Sequence, residues 1–142
     1  MDPSALLRTG AELLAPVLTS AGFAFGPVEA GIGSGGPFAV GRFTRADGRA
    51  LELHVRGALG IVVYRAPRVA VEHGPLMRAA AGCEHPAYPG FSADPLDGFR
   101  HLRADLARFG GAFLAGSDAE FAAQAARGQA LAAARRGFRA LT

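Results

Sequence analysis

Residues 51–56 read Leu-Glu-Leu-His-Val-Arg, and they carry the most regular pattern in the chain. Leucine and valine alternate with charged or polar residues, which is the period of a strand with one buried and one solvated face. The segment just before it, residues 45–49, contains Asp47-Gly48, a strong signal for a β-hairpin. Together these two features predict an antiparallel sheet around this point of the chain.

Further strand patterns lie on both sides of this hairpin. Phenylalanine and valine residues recur between residues 23 and 43, interrupted by the glycine-rich segment 31–36, which we predict to be a mobile hairpin loop. The uniformly apolar run 61–64 predicts a central strand, and residues 69–71 predict a short last one. The sequence therefore predicts a four- to five-stranded antiparallel meander over about residues 23–73.

A helical pattern precedes the predicted sheet. Residues 4–21 place apolar side chains at three- and four-residue steps, with Ser4 as the expected N-cap and Gly22 as the residue that ends the helix. Pro16 lies on the polar face of this helix, where it removes one backbone hydrogen bond. We expect it to bend the helix around the core, over the side of the sheet that carries Leu51 and Leu53.

Two or three helices are predicted after the sheet. Proline, glycine or capping residues bracket the segments 75–82, 95–109 and 117–137, with Asp94 as the expected N-cap of the middle one. We expect these helices to pack on one face of the sheet. The predicted architecture is one α+β domain that spans residues 1–142.

Composition limits the classes of function. Half of the residues are hydrophobic, which suffices for one core, and the only cysteine, Cys83, has no partner for an internal disulfide. The acidic N-terminus does not resemble a secretory signal, and no apolar run reaches the ~18 residues that span a membrane. We therefore expect a cytoplasmic protein without a membrane segment.

The basic residues are all arginine, fifteen in number, and the net charge is +3. Arginine, alanine and glycine without lysine indicate a GC-rich coding bias. The arginines near the C-terminus of the last helix complement the helix dipole. Because they are not interleaved with several aromatic residues, the sequence does not favour nucleic-acid binding. This cluster comprises Arg127, Arg135, Arg136 and Arg139.

A series of short motifs extends from the first helix into the sheet. They are Leu18, Gly22 and Phe23; Phe43 and Arg45; Leu51, Leu53 and His54; and Val63 and Tyr64. Over about residues 6–65 this series resembles small uncharacterised bacterial α+β domains, some of which are suspected immunity proteins against secreted toxins. The resemblance implies a protein that binds a protein partner, and it supplies no catalytic residues.

The polar residues of the alternating strand form the main candidate site. Glu52, His54 and Arg56 share one face at a spacing of about 7 Å, and Arg42 or Arg65 could join them from neighbouring strands. An arginine fork with a histidine donor can hold an anion or a carboxylate. Three alternatives remain open: an ordinary solvated face, an anion site, or a dimer contact with Glu52–Arg pairs between subunits.

The segment 83–94 is long for a loop in a compact domain. It contains Tyr88 and Phe91, which would be unusual in a fully solvated loop. The segment either folds over the core as a lid or lines a pocket with His54 or Tyr64. The candidate ligand-binding residues are thus Glu52, His54, Arg56, Tyr64 and Tyr88.

Other signatures are incomplete. The glycine-rich segment 31–36 lacks the lysine and the following helix of a phosphate loop. Cys83 and His85 do not have the spacing of a zinc pair, and His54, His73 and His101 are scattered over the chain. A catalytic role for Cys83 is disfavoured by the preceding helix C-terminus and by Glu84. No catalytic, metal or cofactor assignment follows.

The sequence favours a non-catalytic binding domain, immunity-like in kind, whose partner is a protein or a second copy of the chain in a homodimer. The alternative is a protein that binds a small molecule or anion, or an enzyme, which uses the Glu52, His54 and Arg56 face beneath the 83–94 loop.

Overall fold

The computed structural model describes residues 1–82, 84–90 and 92–141, the side chains of residues 138–141 excepted. The chain begins with helix α1 (Pro3–Leu18) and continues into the strands β1 (Ala24–Phe25), β2 (Glu29–Gly33), β3 (Gly36–Thr44), β4 (Ala50–Val55), β5 (Leu59–Ala66) and β6 (Val69–Glu72). It ends with the helices α2 (His73–Ala81), α3 (Asp97–Phe109), α4 (Gly111–Leu114) and α5 (Asp118–Leu141). The predicted α+β order is confirmed.

The strands form one antiparallel sheet in the order β1-β3-β4-β5-β6, and β2 pairs with β3 beside β1. The hairpin at Asp47-Gly48 joins β3 to β4, with Arg42 opposite Glu52. On β4, Leu51, Leu53 and Val55 are buried against the helices, as the alternation predicts. We call this side of the sheet the inner face and the side that carries Glu52 the outer face.

Helix α1 begins two residues earlier than its apolar stripe suggests. The Asp2 carboxylate accepts hydrogen bonds from the backbone N–H groups of Ser4 and Ala5, so Asp2 rather than Ser4 caps the helix. The helix ends at Leu18, and a turn leads to Gly22, whose φ of 93° is one that other residues rarely adopt. Pro16 lies inside the helix on its exposed side, as predicted.

Close approach between helices depends on two glycines. A Cβ atom on Gly10 would lie 2.3 Å from the ring of Phe99, so the glycine lets α3 pack directly on α1. A Cβ atom on Gly128 would lie 2.2 Å from the carbonyl oxygen of Pro75, so α5 packs equally closely on α2. The second of these contacts explains how an alanine-rich last helix with few large apolar side chains is held in place.

The glycine-rich segment is not the loop that we predicted. Residues 29–33 form strand β2, and only Ser34 and Gly35 lie between it and β3. A Cβ atom on Gly31 would lie 2.9 Å from the Phe38 ring, so the missing side chains make room for that ring. The glycines therefore serve close packing within a strand pair, and the described residues form a sheet of six strands, where four or five were predicted.

The helices after the sheet also differ in detail from the prediction. Asp94 does not cap α3; its carboxylate accepts the Leu96 N–H in a turn that precedes the helix. The short helix α4 occupies residues that we predicted as a connection, and the described chain contains five helices in all. Ser117 and Glu120 form the predicted capping box for α5. No described helix has both the length and the apolar character needed to cross a bilayer.

Candidate functional site

A cluster of charged side chains occupies the centre of the outer face. Glu52 Oε2 accepts hydrogen bonds from Arg42 Nε at 3.0 Å and from Arg65 Nε at 2.9 Å. His54 Nε2 lies 2.7 Å from Glu52 Oε1 and donates to it, because an ionised carboxylate can only accept. Three neighbouring strands thus contribute to one cluster around a single carboxylate.

The electrostatics of this cluster fix the charge of Glu52. Burial by itself raises the pKa of the Glu52 carboxyl, but the hydrogen bonds from Arg65, His54 and Arg42 outweigh it and lower the pKa to about 2. The Glu52 side chain is 7% exposed, whereas those of Arg42 and Arg65 are 55% and 45% exposed. Glu52 is therefore an ionised, enclosed anchor, and the two arginines keep solvent-facing edges that a ligand can reach.

Arg56 is directed away from that carboxylate. Its guanidinium donates to the carbonyl oxygen of Gly36 at 3.1 Å and lies 5.8 Å from the centre of the Phe38 ring. Within the described part of the chain it has no acidic partner. Alternation places Arg56 on the same face as Glu52, but the sheet carries its head group to the tip of the β2–β3 hairpin.

A groove of about 530 Å³ runs along the outer face beside this arginine. Its floor consists of backbone from β3 to β5, and the side chains of Phe38, Val40, His54, Arg56 and Ile61 line it. Ile61 is 53% exposed, although it lies in an interior strand, because none of the helices α1 to α4 packs on this side. Among the residues that the structure describes, no acidic side chain lines the groove. It therefore suits a ligand that combines an apolar group with a negative charge.

The inner face holds a second polar cluster, which is completely enclosed. Tyr64 Oη lies 2.7 Å from His73 Nδ1, and His73 Nε2 lies 2.9 Å from Asp105 Oδ2. Tyr64, His73 and Asp105 are 0%, 3% and 2% exposed. The cluster joins β5, α2 and α3 at the centre of the core.

The hydrogen-bond partners in this cluster determine which atom carries each proton. Burial alone raises the pKa of the Asp105 carboxyl, but hydrogen bonds from His73 and from the N–H groups of Tyr88 and Ala87 lower it below its ordinary value. The ionised carboxylate then accepts the His73 Nε2 proton, which leaves Nδ1 to accept the Tyr64 hydroxyl proton. Burial, with the charge of Asp105, raises the pKa of Tyr64 well above its usual range.

The Tyr64–His73–Asp105 cluster orders part of the 83–94 loop. Asp105 Oδ1 accepts the Ala87 N–H at 2.6 Å, and Oδ2 accepts the Tyr88 N–H at 2.9 Å. The Tyr88 ring packs edge-on against His73, and its hydroxyl donates to the carbonyl oxygens of Leu59 and Gly60. Burial raises the pKa of Tyr88 to about 12. The described residues of the loop thus fold onto the core and the end of β5.

The five predicted ligand-binding residues are divided between the two sides of the sheet. Glu52 and His54 are in direct contact on the outer face, and His54 and Arg56 line the same groove. Tyr64 and Tyr88 lie on the other side of the sheet with His73. Tyr64 is fully enclosed, so no ligand reaches the set as one site.

Arginines that flank the β3–β4 turn hold the helical layer. Arg49, 2% exposed, donates to the carbonyl oxygens of Ala112, Phe113 and Gly116 and to the Asp118 carboxylate. Arg45 bonds the carbonyl oxygens of Ala21 and Leu114. These contacts satisfy helix-end carbonyl groups, so the two arginines have a structural role.

The histidines considered as metal ligands do not form a metal site within the described part of the chain. Cys83 and Phe91 lie outside the described residues. His73 is held by Asp105, and His101 of α3 packs against Gly90. Among the residues that the structure describes, no three His, Cys, Asp or Glu side chains cluster as a metal ion requires.

Asp105 and Arg49 were not among the predicted functional residues. Asp105 follows Leu102 by three residues and precedes Leu106, so it interrupts the apolar stripe of α3, and that position is a signal of a buried polar partner. Arg49 gave no such signal, because residues beside a tight turn are usually solvated.

Comparison of the chain with protein-family models, curated proteins and solved structures gives no match.

Proposed function

We propose that this protein is a non-catalytic binding domain that holds an acidic, apolar segment of a protein partner in the outer-face groove. The observation that carries this proposal is the groove itself, an open apolar channel next to Arg56 and His54 whose described lining residues include no acidic one. A partner's apolar side chain would contact Phe38 and Ile61. Its carboxylate would pair with the Arg56 guanidinium, which has no acidic partner among the described residues.

The enclosed cluster on the inner face supports a binding role over a catalytic one. Tyr64, His73 and Asp105 have the donor order of a proton relay, but all three are buried and fully hydrogen-bonded. A substrate therefore has no access to them. The outer cluster lacks a nucleophile, and its carboxylate is saturated by Arg42, Arg65 and His54. The resemblance to bacterial immunity domains points to a secreted toxin as a partner of this class.

The test is a matched pair of surface variants. Ile61→Glu places a negative charge in the groove at an exposed position, and Leu131→Glu does the same on α5, where Leu131 is 44% exposed. A protein captured from the native organism by the wild type should be lost with Ile61→Glu and retained with Leu131→Glu. In NMR titrations, terminally blocked peptides that contain Glu and Leu should shift the amides of His54, Arg56 and Ile61, whereas Lys-Leu peptides should not.

Equal capture by both variants, or peptide shifts away from the groove, would overturn the proposal. A second candidate uses the same groove for a small apolar carboxylate, which its concave shape favours. Benzoate and hexanoate are suitable probes for this candidate. Stabilisation of the wild type by these acids, lost with Arg56→Gln and accompanied by no peptide binding, would assign the groove to a small molecule.

A further inference from the structure

The two edges of the sheet are protected differently. At one edge, α5 packs beside β6, and Gln129 Nε2 donates to the Ala70 carbonyl oxygen at 2.9 Å. At the other edge, β3 is the single strand partner of β2 within the described residues, and Glu29, Ala30 and Ile32 of β2 are exposed. Ile32, at 84%, is the most exposed large apolar side chain among the residues that the structure describes. An uncovered strand with small and apolar residues invites pairing with another strand.

The register shows which peptide groups point outward. Ile32 lies opposite Pro37, which has no N–H, so this pair is of the non-hydrogen-bonded kind. The pairs of an antiparallel ladder alternate, so Ala30 opposite Ala39 is of the same kind. The N–H and carbonyl groups of Ala30 and Ile32 therefore point away from β3, toward the open edge.

We infer that this edge pairs with the β2 strand of a second copy of the chain, antiparallel and centred on Gly31. In that register Ala30 lies opposite Ile32 of the second copy, so their outward N–H and carbonyl groups form hydrogen bonds with one another. The side chain of each exposed isoleucine then packs beside an alanine. Two-fold symmetry repeats every contact. The two sheets then form one continuous sheet across the interface.

Charge complementarity identifies the second copy as the occupant. In the same register Glu29 lies opposite Gly33 of the second copy. A Cβ atom on Gly33 would lie 3.8 Å from Arg56 Nη2, so the Arg56 guanidinium stands beside that glycine on the outer face. Neither Glu29 nor Arg56 has an ion-pair partner among the described residues. In the dimer, Glu29 of each copy pairs with Arg56 of the other copy, so the interface contains two such ion pairs.

The interface is small, since one short strand from each copy forms its centre. We therefore expect a dimer that exchanges with monomer and whose population rises with concentration. Analytical ultracentrifugation over a concentration series measures this equilibrium. The inference does not depend on the ligand of the groove, because the five N–H donors of the Arg56 guanidinium can bind a groove carboxylate and Glu29 of the second copy together. Ile61→Ser, which adds no charge beside Arg56, should leave the dimer unchanged.

The decisive experiment is a charge exchange. Glu29→Arg and Arg56→Glu should each weaken the dimer by about tenfold, because each replaces two attractive pairs by two repulsive ones. The double variant restores opposite charges at both positions and should recover dimerisation. A double variant no stronger than either single variant would overturn the proposed register.

A backbone test complements the charge exchange. Ala30→Pro removes an N–H that makes no bond within the monomer, so the fold should survive while the dimer is lost. Hydrogen exchange of the Ala30 and Ile32 amides should slow as the wild-type concentration rises. The inference is overturned if the chain stays monomeric throughout, if Ala30→Pro folds and still dimerises, or if the edge binds only strands of other proteins.

Discussion

The two polar clusters of this protein use opposite faces of the same sheet. On the inner face, Tyr64, His73 and Asp105 are enclosed by α2, α3 and the loop residues Ala87 and Tyr88, and each polar atom has a fixed partner. On the outer face, Glu52 is held by arginines that remain about half exposed. Both clusters contain an ionised carboxylate and a histidine, so residue chemistry alone does not distinguish them.

The clusters differ in what covers them: helices pack over the inner cluster, whereas the arginines of the outer cluster are open to solvent. A hydrogen bond in an enclosed site cannot be replaced by water when it is lost, so the inner cluster should contribute strongly to stability. The exposed arginines of the outer cluster can exchange partners with water or a ligand at low cost. The outer face is therefore suited to binding, and the inner cluster to holding the fold. Three substitutions test this contrast.

The largest expected effect is that of Asp105→Asn. The NH₂ group of the new asparagine side chain would face the backbone N–H of Ala87 or Tyr88. Two donors would then point at each other, where the carboxylate of Asp105 now accepts a hydrogen bond. We expect a loss of about 3 kcal/mol in the free energy of unfolding, measured by urea denaturation. Asp94→Asn, on the exposed turn before α3, is the control and should change stability little. Similar effects for both variants would contradict the structural role of the inner cluster.

A smaller loss is expected for Tyr64→Phe. The change keeps the ring and its packing but removes the hydroxyl that donates to His73 Nδ1, which leaves a buried acceptor without a partner. The expected destabilisation is about 1–2 kcal/mol. Tyr88→Phe is the matched control, because its hydroxyl donates to carbonyl groups at the rim of the sheet. In thermal unfolding, Tyr88→Phe should lower the melting temperature less than Tyr64→Phe does. The reverse order would mean that the loop contributes more to stability than the core network does.

The smallest effect should come from Glu52→Gln, about 1 kcal/mol or less at neutral pH. Because the folded-state pKa is lowered from 4.5 to about 2, the stabilisation is present above pH 4.5 and disappears as the pH falls through 2. The difference in unfolding free energy between wild type and variant should shrink over that window. In Arg42→Gln, one donor to Glu52 is missing, so the loss should begin at higher pH. A difference that does not change with pH would show that Glu52 is not ion-paired in solution.

Local patterns predicted the elements better than they predicted the clusters. The alternation in residues 51–56 and the Asp47-Gly48 turn are properties of neighbouring residues, and both are present in the structure. The partners of Glu52 were predicted as well, since adjacent antiparallel strands bring Arg42 and Arg65 to the same face. The strand at residues 29–33 was missed, because its glycines suit a loop when considered singly and a strand only when Phe38 lies over them.

By itself, the sequence determined the α+β order, the hairpin and the division of β4 into an apolar and a polar side, because these depend on periodicity and on the conformational preferences of single residues. Only the tertiary structure decided that Asp105 meets His73 across 32 positions, that Tyr64 is enclosed, and that Arg56 turns toward β2. Those contacts depend on which helix covers which face. That choice is set by packing between distant segments, such as Phe99 against Gly10, and no local pattern encodes it.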